Sequence, residues 1–313
     1  MTGKKATEVL AADAVGLARA AGLLRGGGLV GVPTETVYGL AARADSDEAV
    51  AGIYAAKGRP GFNPLIVHVA SLEQAETLAR FDERATLLAG KFWPGPLTLV
   101  LPLREDAGLA KAVTAGLPTI AVRMPGHPVM RGLLELCDFP LAAPSANRSE
   151  SVSPTSAQHV LATLDGRIDA VIDGGDCERG LESTIVALRD HGGWQLLRAG
   201  PIGQGDIAAA IGPASGEANG IEAPGQLARH YSPGKPLRLG AVRADADEFH
   251  IGFGEVSGDV SLSSAGDLDE AANRLYAALH EAAQSAKPRI AVAPVPARDI
   301  GIAINDRLRR AAA

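Results

Sequence analysis

The 313-residue sequence predicts an α/β fold, a twisted mixed sheet with flanking helices followed by a second, smaller α/β domain. Three observations predict it. Apolar runs of strand length are interspersed with segments of helical periodicity, without the strict alternation of a βαβ array. The stretch 201–235 loses that patterning and becomes rich in Gly, Ala and Pro, as a linker does. Beyond it, residues 236–313 hold three strand-like runs and two helical segments, enough for a small domain.

In chain order, residues 13–25 (DAVGLARAAGLLR) place apolar side chains at helical spacing, and Gly26-Gly27-Gly28 ends that helix. The run LVGV opens a strand. Residues 46–57 read as a helix capped by Ser46 or Asp47. PLIVHVA (64–70) is a strand, SLEQAETLARF a capped helix, and RATLLAGKFWPGP a helix stopped by Pro94-Gly95-Pro96. LTLVLPL and TIAVRMP are strands, the second leading into a helix near 128–136. PLAAPSAN is a buried strand running into a polar turn, and AVIDGG, STIVALR and WQLLRAG supply further strands. After the linker, LRLGAV, HIGFGEV and RIAVAPV are strands, while 268–286 and IGIAINDRLRRAAA are helices.

Composition narrows the function classes. Hydrophobic residues make up 46% but aromatics only 4%, so the core rests on Ala, Val, Leu and Ile. The net charge of −6 lacks the basic surplus with which stable nucleic-acid binders displace counterions. Cys137 and Cys177 lie far apart, outside any Cys-x-x-Cys pattern, and read as small core residues rather than a disulfide or zinc site. No signal peptide is visible, and no apolar run reaches the length of a membrane span. The expectation is a soluble protein of a reducing compartment, the cytoplasm.

Three clusters could carry chemistry. Lys57-Gly58-Arg59-Pro60, with Asn63-Pro64 and His68 behind it, sets two cations at a helix end where they could grip a polyphosphate. The same placement also suits a helix C-terminus with no ligand at all. Ser145-Ala146-Asn147 follows a strand, where α/β sheets bind ligands, though a turn reads equally from those residues. Thr34-Glu35-Thr36 again follows a strand; its hydroxyls could bond a small polar ligand and Glu35 could cap or pair. Arg123 resembles a carboxylate clamp, or else one half of a salt bridge. His68 and His230 are the histidines in suggestive company. There is no Walker motif, Ser-His-Asp order, metal-ligand spacing or dinucleotide fingerprint. The residues alone reach an enzyme that binds a phosphorylated, carboxylate-bearing substrate.

Seven segments in order, PTETVYGLA (33–41), KGRPGFNPLIVHV (57–69), FWPGPLTLVL (92–101), TIAVRMPGHP (119–128), APSANRS (143–149), ESTIV (182–186) and LLRAGPI (196–202), resemble the threonylcarbamoyl-AMP synthase family. APGQLARHYSP (223–233) and a small domain ending in INDRLRR are similar to the family's two-domain form. The resemblance implies a YrdC-like catalytic domain over 1–203, a linker covering the active site over 204–235, and a Rossmann-like small domain over 236–313. It implies a nucleotidyltransferase that makes L-threonylcarbamoyl-AMP and pyrophosphate from L-threonine, bicarbonate and ATP. The product would serve tRNA modification beside the anticodon, through a downstream threonylcarbamoyl-transfer complex. By the same resemblance Lys57 and Arg59 are catalytic, and Arg59, Asn63, Thr119, Ser145, Asn147, Ser153, Arg198 and Tyr231 contact ATP. Thr36, His68, Arg123, Ala143 and Ser183 surround L-threonine. Mg²⁺ would ride on the phosphates with no protein metal site, and His230-Tyr231-Ser232-Pro233 could gate the pocket. Ala199 stands where proline is common in the family, which loosens one turn. The competing readings are a non-catalytic RNA-binding module or an ATP or amino-acid sensor using the same concave face.

Overall fold

Capping chemistry sets the helix boundaries in the computed structural model, which describes residues 6–189, 192–215, 222–226 and 230–313. Helix α1 (Ala14–Arg25) begins where Asp13 accepts a hydrogen bond from the Gly16 amide, and α2 (Asp47–Lys57) where Ser46 does the same for Ala49. Ser71, Asp82, His127 and Ser156 cap α3 (Leu72–Leu78), α4 (Glu83–Phe92), α5 (Pro128–Leu136) and α6 (Ala157–Leu164) in the same way. Gly58, at φ 62°, ends α2 in the left-handed conformation and turns the chain into Arg59-Pro60.

Among the described residues, ten strands form one mixed sheet. Its spatial order is β1 (Glu8–Ala11), β8 (Ala170–Asp173), β2 (Val30–Val32), β3 (Gly39–Arg43), β7 (Leu141–Ala142), β4 (Ile66–His68), β6 (Thr119–Arg123), β5 (Leu97–Pro102), β9 (Thr184–Leu188) and β10 (Trp194–Arg198). The pairs β1/β8, β8/β2, β4/β6 and β5/β9 are parallel and the others antiparallel. Alternation sends successive side chains to opposite faces. Leu40 and Ala42 enter a core with Val50, Ile53, Val67 and Val122, whereas Ala41 joins Leu24, Val30 and Leu133 on the other side. Each such Leu, Val or Ile contributes roughly 1.5–3 kcal/mol by leaving water. On β4 and β6 the alternate residues Ile66 and Ala121 form a separate small patch with Val100, Ile185, Ala187 and Leu197, completed by Ala223 from beyond the sheet.

Several elements depart from the sequence reading, among them α6, β3 and the short strand Val260–Ser261, which it did not name. Strand β1 was not expected; only Leu10 of its four residues is buried, so it carries no alternation to read. The 201–235 stretch is not linker throughout, because it begins with α7 (Gln204–Ile211), which buries Ile207 and packs on α4. Three Ala and one Gly among its eight residues hide that helix from a periodicity argument, and Asp206 reaching back to the Gly203 amide supplies its N-terminal cap. Parts of the expected linker, residues 216–221 and 227–229, fall outside the described residues.

A second sheet, all parallel, orders β11 (Leu237–Leu239), β14 (Arg289–Val292), β12 (Glu248–Gly252) and β13 (Val260–Ser261). Helices α8 (Leu268–Gln284) and α9 (Gly301–Ala312) pack with it through Leu275, Leu279, Ile304 and Leu308. That core also takes in Val37, Val152 and Leu181 of the first domain, so hydrophobic packing is continuous across the two. Cys137 and Cys177 are buried and free, as their spacing suggested. Among the described residues no helix is long and apolar enough to cross a membrane.

Candidate active site

The strand ends of β4 and β6, the turns after β2 and β7, and the residues Pro224, Gly225, His230 and Tyr231 converge on one cleft. Its walls include Thr36, Arg59, His68, Arg123, Ala143, Ser145, Ser183, Arg198 and Tyr231 from the sequence-predicted set.

One end is built around Arg123, at the C-terminal end of β6. Its Nη2 donates to Glu35 Oε1 at 2.6 Å, Nη1 to Thr36 Oγ1 at 3.0 Å and Nε to the Gly95 carbonyl at 3.1 Å. Both partners of the ion pair are buried, and such a pair persists because further hydrogen bonds satisfy it. Burial pushes the Glu35 carboxyl upward, but the Arg123 charge and its hydrogen bond outweigh that and lower it below the ordinary value. Thr34 folds the turn by donating to the Val37 carbonyl at 2.7 Å and lies 2.8 Å from the Thr36 hydroxyl. His68 ends β4 beside this group. Burial first, then the Arg123 charge, pushes its imidazole down to about 3, so it is neutral. Its Nδ1 has no hydrogen-bond partner among the described residues.

At the other end Arg59 donates to the Asn63 carbonyl at 3.3 Å and the Pro64 carbonyl at 2.9 Å. Burial lowers it to about 10, still protonated at neutral pH. Because its bonds run to carbonyls rather than a carboxylate, its charge remains available to an anion. Lys57, two residues earlier, does not line the cleft. Its Nζ is buried and bonded to the Ser145 carbonyl and the Asn147 carbonyl, both at 2.6 Å, and to Asn147 Oδ1 at 3.3 Å. An ammonium has three donors and all are committed here. These bonds hold the 145–147 turn. Asn147 belongs to the same turn, accepting from Ser145 Oγ at 2.6 Å and donating to the Ser151 carbonyl at 2.8 Å.

The remaining wall is Glu182-Ser183 with Arg198, Pro224, Gly225, His230 and Tyr231. Arg198 donates to the Ser183 carbonyl and to Ser183 Oγ, each at 3.0 Å, and to the Pro224 carbonyl at 3.3 Å. Ser183 Oγ is also 2.7 Å from Thr98 Oγ1. Tyr231 stands at φ 65° with its ring buried. Asn63, Thr119 and Ser153 lie outside the cleft wall. Asn63 is buried with Oδ1 unpartnered, and Ser153 donates to Glu182 at 2.6 Å. Thr119 opens β6 at the far end from Arg123; the β4/β6 register, Ile66 opposite Ala121, sets it beside Pro64 and hence near the carbonyl Arg59 holds.

Sequence reasoning did not single out Glu182, Pro224 or Gly225. Glu182 had a usable signal: a carboxylate opening the apolar run STIVAL requires a cation, although that cation proves to be Arg307, far along the chain. No group of three or more His, Cys, Asp or Glu able to hold a metal occurs among the described residues.

With this geometry in view, the chain can be set against known proteins. The family model described as "Telomere recombination" (Sua5, YciO and YrdC) matches residues 22–200, and that described as "Threonylcarbamoyl-AMP synthase, C-terminal domain" matches 202–313. The threonylcarbamoyl-AMP synthase of Pyrococcus abyssi is 41% identical over 93% of this chain and 92% of that protein. That of Bacillus subtilis is 40% identical over 98% and 95%. The crystal structure of P. abyssi Sua5 complexed with L-threonine superposes with a TM-score of 0.89 at 37% identity, covering 98% of each chain. The chain belongs to the threonylcarbamoyl-AMP synthase family, in the form that carries both the Sua5/YciO/YrdC domain and the C-terminal domain.

Proposed function

We propose that this protein joins L-threonine, bicarbonate and ATP into L-threonylcarbamoyl-AMP, releasing pyrophosphate. What supports this most directly is that one cleft sets a carboxylate-binding end at Arg123 opposite an arginine, Arg59, that pairs with no carboxylate among the described residues. Substrates carrying a carboxylate at one end and a polyphosphate at the other match that polarity.

In this reading Arg123 uses the two of its five N–H groups that Glu35, Thr36 and Gly95 leave free to meet the threonine carboxylate. Neutral His68 accepts a hydrogen at Nδ1 from the amine or hydroxyl without adding charge beside Arg123. The amine, having lost its proton, adds to CO₂ formed from bicarbonate by loss of hydroxide. The resulting carbamate oxygen forms a bond to the α-phosphorus, and the bond to the pyrophosphate oxygen breaks. Arg59 and Arg198 face the charge that accumulates on the phosphates, and such transfers need positioning and neutralisation more than a covalent nucleophile. Mg²⁺ would arrive on ATP and stay on its phosphates, since Glu35 and Glu182 are committed to Arg123 and Arg307. The segment with Pro224, Gly225, His230 and Tyr231 forms a cover that would shield the adenylate from water. The product would pass to a tRNA threonylcarbamoyl-transfer complex, with the cytoplasm as the compartment. A non-catalytic RNA-binding module fits less well, because the net charge is −6.

Pyrophosphate release from MgATP by the purified protein, with L-threonine and bicarbonate each supplied or omitted, tests the proposal. Release requiring both is expected. Release with neither, or none with both, would overturn it.

A further inference from the structure

The second domain inserts two polar side chains behind the cleft wall. Arg307 of α9 has no exposed side-chain surface. Its Nε donates to Glu182 Oε2 at 3.0 Å, Nη2 to the Ala199 carbonyl at 2.8 Å and Nη1 to Asp306 at 3.0 Å. Its guanidinium carbon also stands 5.6 Å from the centre of the Tyr231 ring, within cation–π range. Tyr276 of α8 directs its hydroxyl at both Glu182 oxygens, 2.8 and 3.0 Å away, and stacks on Tyr231 with ring centres 5.5 Å apart.

A domain that only covered an apolar face would need none of these groups. Desolvating a carboxylate and a guanidinium is costly, and well-packed hydrophobic residues of the same volume often stabilise as well or better. The polar set has value where it fixes a geometry. Here it converges on Glu182, which lines the cleft between Ser153 and Ser183. Burial would raise the Glu182 carboxyl, but Arg307 foremost, with Arg198 and the two hydroxyls, holds it near 2. An ionised Glu182 accepts the Ser153 hydrogen bond, which ties Ser153 behind the cleft wall and leaves the carboxylate itself lining the cleft.

We propose that Arg307 and Tyr276 are positioning residues for the cleft, holding the Tyr231 ring by direct contact and the Glu182 carboxylate by ion pair and hydrogen bond where the nucleotide part of the substrate binds. The inference rests on the ATP-dependent function proposed above and assigns the second domain a part in it.

The test compares wild type, Tyr276→Phe, Arg307→Met and the double variant Arg307→Met/Glu182→Gln. ATP affinity is measured by calorimetry, the KM values for ATP and L-threonine by pyrophosphate release, and folding by thermal melts. Arg307→Met is expected to weaken ATP roughly tenfold and Tyr276→Phe about threefold, with threonine changed less than about twofold. In Arg307→Met the carboxyl of Glu182, stripped of its cation, rises, so ATP binding gains a pH dependence between about 5 and 8 that wild type lacks. Adding Glu182→Gln removes the stranded charge and restores part of the ATP affinity. A lower melting temperature with unmoved ATP constants in the folded fraction would mean that these residues only hold the domains together, and would overturn the proposal. Should Arg307→Met fail to fold, an unchanged ATP constant in Tyr276→Phe overturns it alone. A wild type that binds ATP without releasing pyrophosphate defeats the proposed reaction but leaves the positioning roles to be decided by calorimetry; one that binds no ATP defeats both.

Discussion

Lys57 and Arg59 are two positions apart, and the left-handed Gly58 between them turns their side chains to different tasks. Lys57 is spent on the carbonyls of Ser145 and Asn147, while Arg59 faces the cleft. Arg59→Ala should therefore cut pyrophosphate release per folded molecule at least about a hundredfold, as loss of a transition-state cation does, and cost about 1–2 kcal/mol of stability because the Pro64 carbonyl loses its donor. Lys57→Met should instead cost about 2 kcal/mol of stability, because it strands two buried carbonyls. Thermal melts run beside the assay separate the two, and an Arg59→Ala protein that unfolds yet turns over normally per folded molecule would reverse the assignment. Residue types and spacing correctly drew attention to the pair but gave no side-chain direction. Arg123 was legible because an arginine closing an apolar strand must meet an acceptor, and Glu35 was already a candidate partner. Glu182 with Arg307 was not, since no local pattern joins residues separated by most of the chain.

At the scale of elements, α1 and α2 were readable almost to the residue because cap and periodicity agree, whereas Ser-capped α6 was not read. Elements whose burial comes from tertiary neighbours were not readable either, as β1 and the Ala-rich α7 show. The segment across the cleft is the element most open to a direct test. Gly225 stands at φ 87°, and a Cβ there would lie 3.0 Å from Arg198 Cδ and 3.2 Å from the Tyr231 hydroxyl. Gly225→Ala adds about 1 kcal/mol of left-handed strain and presses on both side chains. The expected outcome is a KM for ATP raised about tenfold with the threonine KM little changed. Equal changes in both would indicate that the segment serves the whole cleft instead of its nucleotide end.

Across the whole molecule the two domains meet through a stacked histidine pair as well as through Arg307. His159 of α6 and His280 of α8 lie 3.8 Å apart, centre to centre, at an interplanar angle of 13°. His280 donates to the Ser153 carbonyl at 3.1 Å, and the Thr155 amide donates to His159 Nδ1 at 3.3 Å. Burial lowers both imidazoles below the free value of 6.5, His280 to about 4. The unfolded chain therefore takes up protons first, so the stability is complete above about pH 7 and is lost as pH falls through 6.5 toward 4. For His280 the loss between about pH 7 and about pH 5 is roughly 2 kcal/mol, and melts across that range should fall, less steeply in a His280→Gln variant. The core that Val37, Val152 and Leu181 share with α8 and α9 has a further consequence for descent within the family. A lineage that discarded the second sheet would bare three apolar side chains and leave the carboxylate of Glu182 with no cation behind it. Shorter family members should therefore carry polar residues at the first three of these positions and a neutral one, or a locally supplied arginine, at the fourth.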